Sequence, residues 1–155
     1  FESDEDGKVK LLDTSCFIKT TEKGEVLIDP LHKKIQNAVA KLIKKDYVHP
    51  YVETGLSDAE GQRVDIKGIF KETGEWHYFE IKTDSAKKSI REALGQILEY
   101  AHYPNMQRAT KLFIVGPQQP DDKDTAYMEF IRKTYGIPVW FRWYSFEQNK
   151  LYDGI

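Results

Sequence analysis

The sequence predicts an α/β domain in which a mixed sheet is flanked by helices. Segments with helical apolar spacing and segments with alternating apolar residues follow one another in the order α, β, β, β, α, β, α, β. The clearest strands are Arg63 to Lys71 and Trp76 to Thr83, because Glu72-Thr73-Gly74 between them is typical of a hairpin turn. A chain of 155 residues is enough for one domain of ordinary size.

The first helix is predicted to start at Asp29-Pro30, a pair that suits an N-cap and a first helical position. It ends near Asp46, and His49-Pro50 breaks the chain before a strand at Tyr51 to Thr54. The apolar residues of this helix recur at helical spacing, at Leu31, Ile35, Ala38, Val39, Leu42 and Ile43.

The carboxyl-terminal half of the chain adds two helices and two strands. The predicted elements are a helix over Lys87 to Tyr103, a strand over Lys111 to Val115, a helix over Asp122 to Tyr135 and a strand over Val139 to Tyr144. Large apolar and aromatic residues occupy both faces of the last strand. We therefore expect both faces to be covered, one of them by a partner domain or by the second subunit of a homodimer.

Composition excludes several classes of protein. Hydrophobic residues make up 40% of the chain and aromatic residues 13%, so the chain can bury a core and is not disordered throughout. No apolar run approaches the roughly 18 residues of a membrane span. The single cysteine, Cys16, excludes an internal disulfide and a multi-cysteine zinc site, and fits a reducing compartment such as the cytoplasm.

Charge is distributed unevenly along the chain. The net charge is −2, but four acidic residues lie within Glu2 to Asp6, in a segment, 1–28, that we expect to be a partly flexible leader to a domain over 29–155. Because the first residue is Phe1 and not Met, we also expect a longer parent protein with further domains. Two basic clusters, Lys33, Lys34, Lys41, Lys44 and Lys45, and Lys82, Lys87, Lys88 and Arg91, suit either phosphate contacts or a solvated helix face.

The predicted hairpin brings polar residues together on one face of the sheet. A four-residue loop, Lys71 to Gly74, sets Asp65 opposite Glu80, whereas a two-residue loop pairs Asp65 with Lys82. Either loop places Asp65, Glu80 and Lys82 on one face. Either loop also buries Val64, Ile66, Phe70, Phe79 and Ile81 on the other face.

Two carboxylates at this range repel each other unless a cation lies between them. Mg²⁺, or Mn²⁺ as its substitute, is the natural choice, because it is typically held by one or two carboxylates together with phosphate and water. A neighbouring lysine then stabilises developing negative charge or orients the attacking water. This set of residues suits phosphodiester hydrolysis, and the alternative is a group of cross-strand ion pairs on a solvated face.

The helix after the hairpin contributes further polar residues. Gln96 and Tyr100 are four residues apart and share one helix face, where they can brace a lysine or hold a phosphate. Lys87, Lys88 and Arg91 form a basic approach to the same edge of the sheet. The alternative is an ordinary amphipathic helix with a half-buried tyrosine.

Asp65, Glu80-Ile81-Lys82 and the segment from Gln96 to Tyr100 together resemble the PD-(D/E)XK nuclease superfamily, with a helix similar to the Gln-x-x-x-Tyr helix of its RecB-like members. The resemblance implies a restriction-endonuclease-like αβββαβ core with a carboxyl-terminal αβ extension. It also implies a Mg²⁺-dependent deoxyribonuclease, more readily an endonuclease than an exonuclease, that serves in restriction, repair or phage defence.

The same resemblance implies a role for each matching residue. Asp65, Glu80 and the backbone carbonyl of Ile81 are metal ligands, and Lys82 is the catalytic lysine. Gln96 and Tyr100 support the site and contact DNA. The remaining DNA-contacting or site-supporting candidates are Lys87, Lys88, Arg91 and Gln36.

The sequence departs from the superfamily at two positions. Val64 stands where the superfamily name has proline. The acidic residue that many members carry in the first helix is missing from Leu31 to Lys45, where His32 and Gln36 are the inward-looking polar residues, so Glu53 is the candidate third carboxylate. The alternative function is a catalytically silent module of a larger protein that binds nucleic acid or another partner.

Overall fold

A computed structural model of the protein describes residues 9–11, 17–21, 24–52 and 64–155. The chain forms two compact units, Phe1–Lys34 and Ile35–Ile155. In the first unit, strands β1 (Val9–Leu11), β2 (Phe17–Thr21) and β3 (Gly24–Ile28) form an antiparallel sheet in that order. The sequence predicts a partly flexible leader over 1–28, and it does not predict the pairing of these three strands.

Helix α1 runs from Pro30–Ile43. Its start follows the prediction, since the Leu31 backbone N–H donates to Asp29 Oδ1 at 2.9 Å. Ile35, Val39 and Ile43 are buried, as the helical spacing of apolar residues predicts.

The second unit contains a six-stranded mixed sheet in the order β4-β5-β6-β7-β8-β9. The strands β4, β5 and β6 are antiparallel, β6, β7 and β8 are parallel, and β9 pairs antiparallel with β8. Their bounds are Tyr47–Val52, Ile66–Phe70, Trp76–Ile81, Lys111–Gly116, Val139–Ser145 and Lys150–Leu151. The chain therefore has the α/β class and the mixed sheet that the sequence predicts.

Strand β4 corrects the prediction that His49-Pro50 breaks the chain before a strand at Tyr51. The strand begins at Tyr47 and passes through Pro50. Its pairing with β5 shifts register between Val48 and Tyr51, and such an irregularity on an edge strand accommodates a proline, which has no N–H to donate.

Helices α2 (Ala86–His102) and α3 (Asp122–Tyr135) lie close to their predicted positions. The Ser85 side chain caps α2 by accepting from the Lys88 N–H. A capping box at Asp121 starts α3, and Gly136, whose φ is +67°, ends it.

Two apolar clusters cover the two faces of the sheet. On one face, α1 residues pack on a cluster that includes Ile66, Phe79 and Ile81. On the other face, α2 and α3 pack on a cluster that includes Tyr78, Ile114 and Phe141.

In the part of the chain that the structure describes, no helix has both the length and the apolar character needed to cross a membrane.

Candidate active site

The hairpin formed by β5 and β6 fixes the register of the predicted catalytic residues. Ile66 pairs with Phe79 and Ile69 with Trp76. The turn closes with the Gly74 N–H donating to Phe70 O at 2.8 Å, and Gly74 has a φ of +71°, which favours glycine. Of the two loops that the sequence allows, the four-residue loop is confirmed, and it sets Asp65 level with Glu80 across the hairpin.

Asp65 is held in place by two hydrogen bonds from different elements. Its Oδ2 accepts the backbone N–H of Ile81 at 2.8 Å, which ties the carboxylate to β6. Its backbone carbonyl accepts Gln36 Nε2 at 2.8 Å, and Gln36 on α1 is buried. Because both contacts come from regular elements, the carboxylate is positioned by the rigid part of the fold.

Glu80 and Lys82 lie at the carboxyl end of β6. Glu80 is 5% exposed, and Lys82 Nζ lies 3.4 Å from Glu80 Oε1. Lys82 Nζ also donates to Gln96 Oε1 on α2 at 2.7 Å. Gln96 is therefore the closer of these two partners, and it holds the ammonium group beside the glutamate.

The apolar face of the hairpin differs from the prediction in one residue. Ile66, Phe79 and Ile81 share the cluster under α1, as expected, and Phe70 packs against it. Val64 is buried in the cluster on the α2 side, with Tyr78. The prediction for Val64 is wrong because this residue precedes the first residue of β5, so the alternation of the strand does not extend to it.

The basic residues of α2 divide into two groups. Lys88 Nζ lies 2.6 Å from Asp84 Oδ2 and 3.9 Å from Glu92 Oε1, and the hydrogen bond from Lys88 lowers the pKa of Asp84. Lys87 and Arg91 are exposed and form no ion pair with any described residue. Both are thus available to a phosphate, whereas Lys88 is engaged on its own helix.

Tyr100 shares the helix face of Gln96 but has different surroundings. It is half-buried and packs against the apolar cluster on the α2 side. The packing of Tyr100 fits the structural alternative for this residue, whereas Gln96 contacts the predicted catalytic lysine directly.

The candidate third carboxylate, Glu53, lies outside the described residues, which omit 53–63. Among the residues that are described, no group of three or more His, Cys, Asp or Glu is arranged to hold a metal ion. Asp65 and Glu80 supply hard oxygen donors at facing positions, which fits the one or two protein carboxylates that Mg²⁺ takes alongside water and phosphate. Coordination by the Ile81 carbonyl stays a prediction.

Sequence reasoning missed a second polar group at the opposite end of the same strands. His77 on β6 is 2% exposed, and its Nδ1 lies 2.8 Å from the Tyr47 hydroxyl. Burial lowers the pKa of His77 to about 4 and raises that of Tyr47 to about 12, so both side chains are neutral at pH 7. The alternation of the strand is the signal that could have found His77, because it places His77 on the same buried face as Phe79 and Ile81.

Comparison with family models, with curated proteins and with solved structures finds no match to this chain.

Proposed function

We propose that the protein is a metal-dependent deoxyribonuclease that hydrolyses phosphodiester bonds at Asp65, Glu80 and Lys82. The observation that carries the proposal is the hairpin register, which brings Asp65 level with a buried Glu80 while Lys82 Nζ lies 3.4 Å from that glutamate. Two carboxylates and an ammonium group at one end of the hairpin suit a hydrolytic metal site, in which the carboxylates bind the metal ion and the ammonium group stabilises negative charge.

Each residue of this set has a distinct task in the proposed reaction. Asp65 and Glu80 hold Mg²⁺, or Mn²⁺ as its substitute. When bound, the metal ion polarises the scissile phosphate and lowers the pKa of a water molecule. The Lys82 ammonium group stabilises negative charge that develops on the phosphate, and Gln96 keeps it in place.

Burial supports a catalytic interpretation of Glu80 over a surface ion pair. The Glu80 side chain is 7% exposed and the Lys82 side chain 19%. An ion pair with so little solvent gains little net stability, because desolvation offsets the attraction between the charges. A buried ion pair therefore adds little to the stability of the fold, whereas a site that binds a cation requires the carboxylate.

The element order supports a restriction-endonuclease-like core as part of the same proposal. From α1 to β7 the order is α, β, β, β, α, β, and α3 with β8 supplies the αβ extension. Asp65 precedes the second of these strands, Glu80 lies on the third, Lys82 directly follows the third, and Gln96 lies on the second helix. DNA is the proposed substrate, with the exposed Lys87 and Arg91 beside it.

The test is nicking of supercoiled plasmid by the purified chain with Mg²⁺, with Mn²⁺ and with a chelator. Asp65→Ala and Lys82→Ala are compared with Asp122→Ala and Lys133→Ala, two matched changes at exposed positions of α3. We expect metal-dependent nicking that both site variants lose and both controls retain. Unchanged nicking by Asp65→Ala refutes the site. DNA binding without cleavage by the unaltered chain favours the silent binding module.

A further inference from the structure

A second polar cleft lies at the other end of the sheet from Asp65 and Glu80. Its volume is about 560 Å³, within the range of small-molecule sites. Its aromatic lining is Tyr47, Phe70, His77 and Phe113. Its charged lining is Lys45, Asp46, Lys71, Glu72, Lys111, Arg142 and Asp153.

Arg142 is the best placed of these side chains to bind an anion. Its Nε donates to Tyr152 O at 2.8 Å, which fixes the guanidinium group, and its Cζ lies 5.6 Å from the Phe113 ring centroid. Burial lowers the pKa of Arg142, with Asp46 and Asp153 acting on it only through longer-range attraction. No described carboxylate forms an ion pair with it, so the outer nitrogens of its fork remain available to a ligand.

Other cations strengthen the positive character of this end of the sheet. Lys111 Nζ lies 5.1 Å from the Trp140 ring centroid, on the strand next to β8. Lys71 Nζ is already engaged, because it donates to Lys45 O at 2.7 Å. Lys45 and Lys111 are therefore the further cations of the lining, beside Arg142, whose ammonium groups form no ion pair with any described residue.

The floor of the cleft is built from neutral polar and aromatic side chains. The ring of His77 stacks on Phe70 with centroids 5.1 Å apart, and it meets Phe113 edge to face at 5.7 Å. Nε2 of His77 makes no hydrogen bond to any of the residues that the structure describes. If the Tyr47 hydroxyl donates to Nδ1, then Nε2 carries the proton, and this arrangement leaves fewer buried polar groups unsatisfied than the reverse.

We propose that this cleft binds a phosphate group, free or carried on a nucleoside, through the forked guanidinium group of Arg142, with Lys45 and Lys111 adding positive charge to the lining. A planar guanidinium group matches the oxygens of phosphate in a two-point contact. Among the aromatic side chains of the lining, Phe70 is half-buried whereas the other three are buried, so its ring is the one exposed enough to contact the planar base of a nucleotide. The site is separate from the proposed nuclease site, so its binding does not depend on divalent metal.

The test is calorimetric titration of the full chain, in the presence of a chelator, with inorganic phosphate, with thymidine 5′-monophosphate and with uncharged thymidine. We expect phosphate-containing probes to bind and thymidine to bind much more weakly. Binding of inorganic phosphate alone identifies free phosphate as the ligand, and clearly tighter binding of the nucleotide identifies a nucleotide. Absence of binding by both, or equal binding of thymidine, overturns the proposal.

Variants make the assignment specific to Arg142. Arg142→Gln removes the charged fork and is expected to weaken binding about 10- to 100-fold. Arg142→Lys keeps the charge and loses the fork, so its affinity is expected to lie between that of Arg142→Gln and that of the unaltered chain. Lys133→Gln, on the exposed face of α3, is expected to bind with unaltered affinity. Thermal unfolding verifies that each variant folds, and the His77 ring ¹⁵N shifts report the ligand directly. Unchanged affinity in folded Arg142→Gln overturns the proposal.

Discussion

The two ends of strand β6 both bury a titratable side chain, and they do so in opposite ways. At the carboxyl end, Glu80 is 5% exposed and forms an ion pair with Lys82. At the amino end, His77 is 2% exposed, has a pKa of about 4 and is bonded to a neutral tyrosine. One end sets its buried carboxyl group beside an ammonium group, and the other sets a neutral imidazole beside a neutral hydroxyl, although the strand between them is the same.

This difference shows how local partners decide the fate of a buried polar group. At Glu80, the ammonium group of Lys82 supplies a partner of opposite charge for the buried carboxyl group. A buried imidazole among aromatic rings, with Lys111 as the larger of its two electrostatic neighbours, loses its proton. The first arrangement keeps a carboxyl group beside an ammonium group, and the second gives the cleft an uncharged lining.

The largest effect is expected from removing the charge at the carboxyl end. Glu80→Gln keeps the shape of the side chain but loses the anion that faces Lys82. If Glu80 holds the metal ion, DNA cleavage falls by about 10²- to 10³-fold, the usual cost of one electrostatic group in an active site. Plasmid-nicking rates measure this, with Glu129→Gln on α3 as the matched control. Cleavage at the unaltered rate would contradict the role given to Glu80.

The next largest effect is the pH dependence of the free energy of unfolding that we expect from His77, at the amino end of β6. The pKa of His77 is about 4 in the folded chain and near 6.5 when unfolded, so the unfolded chain takes up the proton first. The contribution of neutral His77 to the free energy of unfolding is therefore complete above pH 6.5 and is lost as pH falls toward 4. Its size is at most about 3 kcal/mol.

Urea unfolding at several pH values checks this expectation with His77→Phe, in which no proton can bind. The free energy of unfolding of this variant is expected to fall less steeply between pH 6.5 and 4 than that of the unaltered chain. His77→Phe also leaves the Tyr47 hydroxyl without its partner, so the Tyr47→Phe, His77→Phe double variant separates that loss from the slope. Equal slopes in all three proteins would show that His77 is not the buried base.

The sequence predicts more of the carboxyl end of β6 than of its amino end. Alternation and turn chemistry predict the hairpin, and Asp65, Glu80 and Lys82 follow from it because a strand repeats every two residues. His77 and Tyr47 are far apart in sequence, and no local pattern pairs them. Their contact depends on the pairing of β4 with β5, which sets Tyr47 opposite Phe70, and no local pattern of the sequence gives that register.

Gln96 shows the same limit at the carboxyl end. Its helix face is predictable from its spacing to Tyr100, but the angle at which α2 crosses the sheet is not. That packing directs Gln96 to Lys82 and Tyr100 to the apolar cluster. Sequence spacing therefore predicts which residues share a face and not which of them reaches the site.

A steric change at the amino end tests whether the position of Tyr47 depends on the strand beside it. A Cβ added at Gly68 would lie 2.7 Å from Tyr47 Cδ1, so the ring would have to move. Gly68→Ala is expected to lower the free energy of unfolding by about 1–3 kcal/mol. Gly95→Ala on α2 is the control, since nothing lies within 4 Å of its Cβ and the change is expected to stabilise the helix by up to about 1 kcal/mol. Stability unchanged by Gly68→Ala would mean that Tyr47 adjusts freely.

The smallest effect is expected from Gln96→Ala, and it distinguishes a positioning role from a structural one. The 2.7 Å bond to Gln96 holds Lys82 Nζ at 3.4 Å from Glu80, longer than a close charge-assisted contact. Without the amide, the ammonium group is free to move onto the glutamate and compete with a metal ion for the same oxygens. We therefore expect the Mg²⁺ concentration for half-maximal cleavage to rise about tenfold, as for other residues that orient a metal site.

Rate and metal dependence together decide the role of Gln96. Saturating Mg²⁺ would outcompete Lys82 for the oxygens of Glu80, so the maximal rate should fall much less than the apparent metal affinity. Gln118→Ala, at an exposed position after β7, is the matched control and should leave both quantities unchanged. A lower maximal rate with an unaltered Mg²⁺ dependence would mean that Gln96 does not govern the contact between Lys82 and Glu80. The two ends of β6 would then differ only in charge. Gln96 would not be the side chain that keeps Lys82 from closing on Glu80 and blocking a metal ion.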